Sequence, residues 1–211
     1  PPSGTLTLNL TYSLILPKMQ AYSDPNEIRP QIYGYSDRQI NFVDWYPFIV
    51  PYQPGEGWIL HNPWFYGEHL VYDVADFDVT VTFTDGTTPQ IAASGAEAAS
   101  VSATSRKFEL EAGRTFALSM STDYKIATQM VGDVKVFAYY FAFYDEEGEA
   151  LLQTTAQALQ VFTDKFGPYR HKTMTAVQGD FNDGMEYSAF YFISRDYFNL
   201  YDGTPVNYLV T

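Results

Sequence analysis

Residues 134–166 read VKVFAYYFAFYDEEGEALLQTTAQALQVFTDKF, and the spacing of their apolar residues changes partway through. Residues 134–144 are rich in aromatic and β-branched side chains, which is typical of a strand. From residue 149 the apolar residues recur at helical spacing, in a stripe of Leu152, Ala156, Leu159, Phe162 and Phe166. The stretch therefore predicts a strand over 134–144, a helix over 149–166 and a domain boundary between residues 144 and 145.

The part of the chain before this stretch has the features of a β-rich domain. Apolar residues alternate with Asp and Thr over 76–84, and Asp85-Gly86 then supplies a hairpin-type turn. The other predicted strands are 5–16, 106–111, 115–121 and 124–131. So many short strands predict a mainly-β fold class, with a β-sandwich-like domain over residues 1–144.

The part that follows predicts a smaller unit of mixed type. The acidic cluster at 145–149 suits the N-terminus of the predicted helix, and Gly167-Pro168 suits its end. A strand over 172–178, a turn over Asp180–Glu186 and a strand over 187–194 complete the pattern. We interpret residues 145–211 as an α+β domain that is incomplete.

Composition excludes several classes of function. The chain has 211 residues and a net charge of −13, so the phosphate backbone of nucleic acid would be repelled. It has no cysteine, which excludes disulfides, thiolate metal sites and cysteine nucleophiles. No apolar run reaches the ~18 residues that a membrane-spanning helix needs. We therefore expect no nucleic-acid partner and no membrane span, and the compartment stays open.

The residues that bind metals in other proteins do not form a recognisable site in this sequence. The three histidines, His61, His69 and His171, lack the His-Glu-x-x-His spacing that places two imidazoles on one zinc ion. Residues 180–184 superficially resemble an EF-hand loop, but glycine and the final acidic residue do not fall at the required positions. We expect no metal to be bound by this chain.

Gly184-Met185-Glu186-Tyr187 is the most informative motif, because it places a carboxylate between a glycine and an aromatic-rich strand. The simpler interpretation is a structural carboxylate that caps a turn or pairs with an arginine. The functional interpretation is that Glu186, if buried beside apolar residues, receives a cation such as a substrate α-amino group. Local chemistry alone leaves both interpretations open.

Gly-Met-Glu-Tyr resembles the exopeptidase signature Gly-Ala-Met-Glu-Asn of the alanyl-aminopeptidase-type zinc metallopeptidases, the gluzincin aminopeptidases. Met185 and Glu186 match directly, whereas Tyr187 stands where Asn is common. Residues 166–169 (FGPY) resemble the end of a helix that opens the family's thermolysin-like catalytic domain. The proline-aromatic segment at Tyr46-Pro47 and the strand from Asp76 resemble its N-terminal β domain. The resemblance spans roughly residues 42–210.

This resemblance implies a role for each residue of the motif. Glu186 would bind the free α-amino group of a peptide, and the backbone of Gly184 and Met185 would line the substrate cleft. The family's zinc ligands follow this motif on the next helix, so zinc is expected in a full-length parent and not in this chain. Without a zinc-activated water, the 211-residue chain alone is expected to be inactive.

Two other classes of function remain open. An aromatic-rich β-sandwich could bind carbohydrate or protein through the 42–66 segment, where Trp45, Trp58 or Trp64 would stack on sugar rings. A non-catalytic relative of the peptidases could serve as an interaction scaffold. If the catalytic domain is incomplete, its uncovered apolar face would also favour self-association.

Overall fold

The computed structural model describes residues 4–19, 32–60, 73–98, 102–201 and 203. These residues form fourteen strands and two α-helices, which confirms the predicted mainly-β fold. The strands are β1 (Gly34–Tyr35), β2 (Ile40–Phe42), β3 (Tyr52–Gln53), β4 (Gly57–Trp58), β5 (Ala75–Thr82), β6 (Gln90–Ala93), β7 (Ala96–Glu97), β8 (Ser105–Gly113), β9 (Leu118–Ser121), β10 (Tyr124–Val131), β11 (Val134–Phe141), β12 (Thr173–Gln178), β13 (Met185–Tyr187) and β14 (Phe190–Ile193). The helices are α1 (Asp145–Phe166) and α2 (Arg195–Leu200).

The strands form three larger sheets and one isolated hairpin within the described residues. The three-stranded sheet has the order β5-β8-β7, the four-stranded sheet β1-β2-β9-β6 and the five-stranded sheet β10-β11-β12-β14-β13. Strands β3 and β4 pair only with each other. In the five-stranded sheet the three central strands are parallel, and the strand at each edge is antiparallel to its neighbour.

Three apolar cores separate successive layers. Leu118 of the four-stranded sheet and Phe108 of the three-stranded sheet belong to one core. The opposite face of the four-stranded sheet contributes Ala92 to a second core with Phe190 of the five-stranded sheet. The far face of the five-stranded sheet packs against Leu151 of α1 and against α2 in a third core. The fold is therefore a stack of three sheets with helices on one outer face.

The five-stranded sheet crosses the predicted domain boundary between residues 144 and 145. Strands β10 and β11 precede this boundary, yet β11 pairs in parallel with β12, which follows it. Helix α1 makes the connection between these two strands, as parallel neighbours require. The change from strand to helix at residue 145 thus marks a crossover inside one sheet.

Helix α1 begins earlier than the sequence predicts, at Asp145 instead of residue 149. The acidic first turn stabilises this end through the helix dipole. The first half of the helix is buried against the sheet through Leu151 and Leu152. The second half of the predicted apolar stripe is less covered, and Phe166 is 82% exposed.

One strand prediction and one turn prediction from the N-terminal part are wrong. Residues 5–16 form no strand, because none of the described strands lies beside them, and their alternating leucines are exposed. Asp85-Gly86 does not close a hairpin, since β5 pairs with β8 and the following strand, β6, joins the four-stranded sheet. No helix within the described part of the chain is long and apolar enough to cross a membrane.

Candidate functional site

The Glu186 motif lies at one edge of the five-stranded sheet. The sequence predicts a turn over residues 180–186, but Met185–Tyr187 forms the edge strand β13, and Gly184 directly precedes it. Strand β13 pairs on one side with β14, in the register Met185 to Phe192 and Tyr187 to Phe190. On its other side no described strand pairs with it.

The register also fixes which backbone groups of β13 face the open side. Only two residues separate Tyr187 from Phe190, and the residues that flank such a turn form a hydrogen-bonded pair. Hydrogen-bonded and non-hydrogen-bonded pairs alternate along antiparallel strands, so Glu186 directs its own N–H and C=O away from β14. A further extended chain could therefore pair with Glu186 at this edge.

The carboxylate of Glu186 is exposed and has no partner within the described residues. No described side chain or backbone group forms a hydrogen bond or an ion pair with it, so the structural role of pairing with an arginine finds no contact here. The condition for a strong attraction, a carboxylate buried beside apolar residues, is therefore not met, because Glu186 is exposed. Water therefore competes for the carboxylate, and the attraction of a cation is weaker than in an apolar site.

Glu186 and its neighbours in β13 face opposite sides of the sheet. Met185 pairs with Phe192 and Tyr187 with Phe190, and Tyr187 packs against the core that the five-stranded sheet shares with the four-stranded sheet. Glu186 lies opposite Tyr191, on the side of the sheet that α1 covers.

Tyr191 also belongs to an apolar groove of about 410 Å³ on the helix side of the sheet. The groove lies between the second half of α1, including Phe162 and Phe166, and residues 167–171. Thr155 donates its hydroxyl proton to the Leu151 carbonyl oxygen at 2.6 Å, so the Tyr191 hydroxyl donates to Thr155, also at 2.6 Å. Burial raises the pKa of Tyr191 above the ordinary value of 10.0, which keeps this hydroxyl protonated.

Two groups of contacts join the β13 region to the N-terminal sheets. The Gln39 side chain binds backbone groups of Gln178 and Asp180, at the end of β12. At the turn between β13 and β14, Ser188 exchanges hydrogen bonds with the backbone and hydroxyl of Thr115. The segment that carries Glu186 is thus held before and after β13.

The described residues contain no group of three or more His, Cys, Asp or Glu side chains that could hold a metal ion. His61 and His69 lie outside the described ranges. His171 lines the apolar groove beside the Tyr169 ring, and burial lowers its pKa below the ordinary value of 6.5.

The tryptophans of the 42–66 segment lie in different surroundings. Trp45 packs against Phe42, and its indole N–H donates to the Phe116 carbonyl oxygen at 3.2 Å. Trp58 is 58% exposed and Tyr52, directly across the β3–β4 hairpin, is 59% exposed. Their rings meet at 71°, so they do not form a coplanar platform. Trp64 lies outside the described residues.

The residues that hold the Glu186 segment from a distance have no recognisable signal in the sequence. Gln39 and its backbone partner at residue 178 are 139 positions apart, and no local pattern distinguishes Gln39 from a surface glutamine. The pairing of Thr115 with Ser188 spans 73 positions and has no periodic signal either. Tyr191 could have been recognised only once the register of β13 and β14 was known.

No model of a known protein family matches the chain, and no curated protein matches it either.

Proposed function

We propose that this chain provides the amine-recognition part of a zinc-dependent aminopeptidase, which removes N-terminal residues from peptides. In this proposal the Glu186 carboxylate binds the α-ammonium group of the substrate. The backbone from Gly184 to Glu186 lines the cleft and pairs with the extended peptide.

We also propose which domains these sheets form. The five-stranded sheet with α1 would be the opening of a thermolysin-like catalytic domain, and the three-stranded and four-stranded sheets would form the β-sandwich-like domain before it.

The observation that carries the proposal is a carboxylate that has no partner among the described residues and lies on a sheet edge that no described strand covers. An edge strand can bind an extended peptide through backbone hydrogen bonds, and the side chains beside it then determine which peptide binds. At one position, Glu186 offers a negative charge together with a backbone N–H and C=O that no described strand engages. A peptide that ends at this point would place its ammonium group beside the carboxylate.

Zinc chemistry is not assigned to any described residue, because none of them forms a suitable ligand group. When bound in a complete enzyme, zinc would supply the activated water that attacks the peptide bond. The residues of this chain would bind and orient the substrate.

Titration of the isotope-labelled chain with L-leucinamide, followed by NMR, tests the amine site directly. We expect backbone shifts at Met185–Tyr187, and weaker or absent shifts with N-acetyl-L-leucinamide, which carries no ammonium group. An exposed ion pair contributes about 0.2–1 kcal/mol, so Glu186→Gln should weaken binding about 1.4- to 5-fold.

Glu146→Gln is the matched control, because Glu146 is also exposed but lies in the first turn of α1. It should leave leucinamide binding unchanged. Equal binding of the acetylated and free compounds, or an equal loss in the two variants, would contradict amine recognition by Glu186.

A binding module for carbohydrate is the second candidate, and the exposure of Tyr52 and Trp58 favours it. Because the two rings are inclined at 71°, only one of them could stack on a given sugar ring. Titration with cellotriose, followed by tryptophan fluorescence, tests this candidate. A change that Trp58→Ala abolishes would support it.

A further inference from the structure

Gln39 is a fully buried polar side chain, 1% exposed, at the interface between the four-stranded and five-stranded sheets. Its Nε2 group donates to the Tyr124 hydroxyl and, at 2.8 Å, to the Gln178 carbonyl oxygen. Its Oε1 atom accepts from the Asp180 N–H at 2.9 Å and from Asn41 Nδ2 at 3.2 Å. All four hydrogen-bonding positions of the amide are therefore used.

The rest of this polar cluster fixes the orientation of the Gln39 amide. Ser119 donates to Asn41 Oδ1 at 2.7 Å, so the Tyr124 hydroxyl donates to Ser119, also at 2.7 Å. The Tyr124 oxygen is then left to accept from Gln39. Each proton in this chain of hydrogen bonds therefore has only one acceptor. Because the Gln39 Nε2 group must donate to Tyr124, its amide oxygen must face the Asp180 N–H.

Gln39 thereby replaces a neighbouring strand at the end of β12. A strand partner would accept one N–H and donate to one C=O of the chain, and the Gln39 amide does both, at residues 180 and 178. Arg38 reinforces the contact, since its Nη2 atom binds the Asp180 carboxylate at 2.8 Å and its guanidinium lies 4.1 Å from the centre of the Phe141 ring. The chain leaves the sheet toward β13 from this fixed point.

A continuous set of contacts joins this point to the Glu186 motif. Phe181, next to Asp180, is buried and meets the Phe192 ring edge to face at a centroid distance of 5.3 Å. Phe192 pairs across the hairpin with Met185, the neighbour of Glu186. A shift of residues 178–180 would therefore be transmitted to β13 through one aromatic pair.

We propose that Gln39 is a positioning residue for the Glu186 site, which fixes the segment from Gln178 to Asp180 and so sets the place of β13. Its importance for ligand binding rests on the proposed function, whereas its effect on β13 does not. A neutral amide suits this role because it combines a donor and an acceptor in one planar group.

The test uses hydrogen exchange of the Met185 amide, which faces β14, relative to the amides of β11. Gln39→Met keeps the length of the side chain and removes both backbone contacts, so we expect relative exchange at Met185 to rise about tenfold or more. Ser94→Ala is the control, because Ser94 is equally buried beside the four-stranded sheet, but its hydroxyl oxygen accepts from the Ala117 N–H at 2.9 Å and makes no hydrogen bond to the Gln39 cluster. It should change the relative exchange less than about twofold.

Gln39→Glu tests whether the hydrogen bonds of residue 39, and not its packing alone, hold β13 in place. The protonated carboxyl group can still donate to Gln178 and accept from Asp180, whereas the ionised group cannot donate. The groups that face it are the Tyr124 hydroxyl and, through Asp180, the Arg38–Asp180 pair. Relative exchange at Met185 should be near that of the original protein at about pH 5 and rise about tenfold by about pH 8.

The two arms separate the positioning role from the proposed function. Gln39→Met should also weaken leucinamide binding by about the 1.4- to 5-fold expected for Glu186→Gln. Raised exchange without any leucinamide binding by the original protein would support positioning and refute amine recognition. Equal exchange in Gln39→Met and Ser94→Ala, or a pH-independent Gln39→Glu variant, would overturn the positioning role.

Discussion

Substitution of Ser188 by alanine is expected to loosen the hairpin that carries Glu186. The Ser188 Oγ atom accepts from the Arg114 N–H at 2.9 Å and from the Thr115 N–H at 3.2 Å. In return, Thr115 Oγ1 accepts from the Ser188 N–H at 3.0 Å. These three bonds form a closed set between the turn that follows β13 and the turn that precedes β9.

The expected cost follows from the exposure of each donor. A hydrogen bond contributes about 0.5–1.5 kcal/mol, and more is lost when its donor cannot reach water. Arg114 is exposed and can turn to solvent, whereas Thr115 is half-buried. Ser188→Ala should therefore lower the free energy of unfolding by about 1–2 kcal/mol.

Urea unfolding of Ser188→Ala, Thr115→Val and the double variant measures this set of bonds. Because each single change already disturbs the shared geometry, the double variant should cost about 0.5–1 kcal/mol less than the sum of the two. Thr128→Val is the control, since Thr128 is exposed on strand β10 and should be near neutral. Additive effects no larger than that of the control would refute the anchoring of the hairpin.

Two further predictions concern other parts of the chain. If the apolar groove mediates self-association, sedimentation velocity should show a concentration-dependent dimer that Phe166→Ser abolishes. Phe143→Ser is the control, because Phe143 is 96% exposed and lies outside the groove, and it should leave the dimer intact. A dimer that survives Phe166→Ser would contradict this prediction. Burial raises the pKa of Tyr139 from 10.0 to about 12. The protonated Tyr139 side chain therefore makes its full contribution to the free energy of unfolding below pH 10, and this contribution is lost as the pH rises through about 12. Urea midpoints measured over this range should fall less steeply in Tyr139→Phe, and an unchanged slope would show that Tyr139 is not the group responsible.

Local patterns predicted those elements whose partners are adjacent in sequence. Strand β10 has the predicted bounds, and it pairs with β11 across Gly132-Asp133, because a two-residue turn fixes the register of the strands beside it. The body of α1 was predicted because its apolar stripe alternates with polar residues at helical spacing. In both cases the determining signal lies within a few residues.

Other features depend on contacts that no local pattern contains. Alternation over residues 5–16 predicts a strand, but a strand forms only where a neighbour is available to bond with it. Strand β13 was not predicted, because three residues are too few to show the alternation of a strand and Gly184 indicates a turn. Pairing with β14 outweighs that local preference, and it places Glu186 on an edge strand.

The place of Glu186 is therefore a property of the stacked sheets and not of the C-terminal part alone. A polypeptide limited to residues 145–211 would lack β10 and β11, which make β12 an interior strand of the sheet. It would also lack Gln39 and Thr115, the side chains that hold the chain before and after β13. The apolar faces of β12 and β14 would lose their covering residues at the same time. Because these losses act together, we infer that the proposed recognition by Glu186 would depend on the N-terminal sheets, including Gln39, which precedes it by more than a hundred positions.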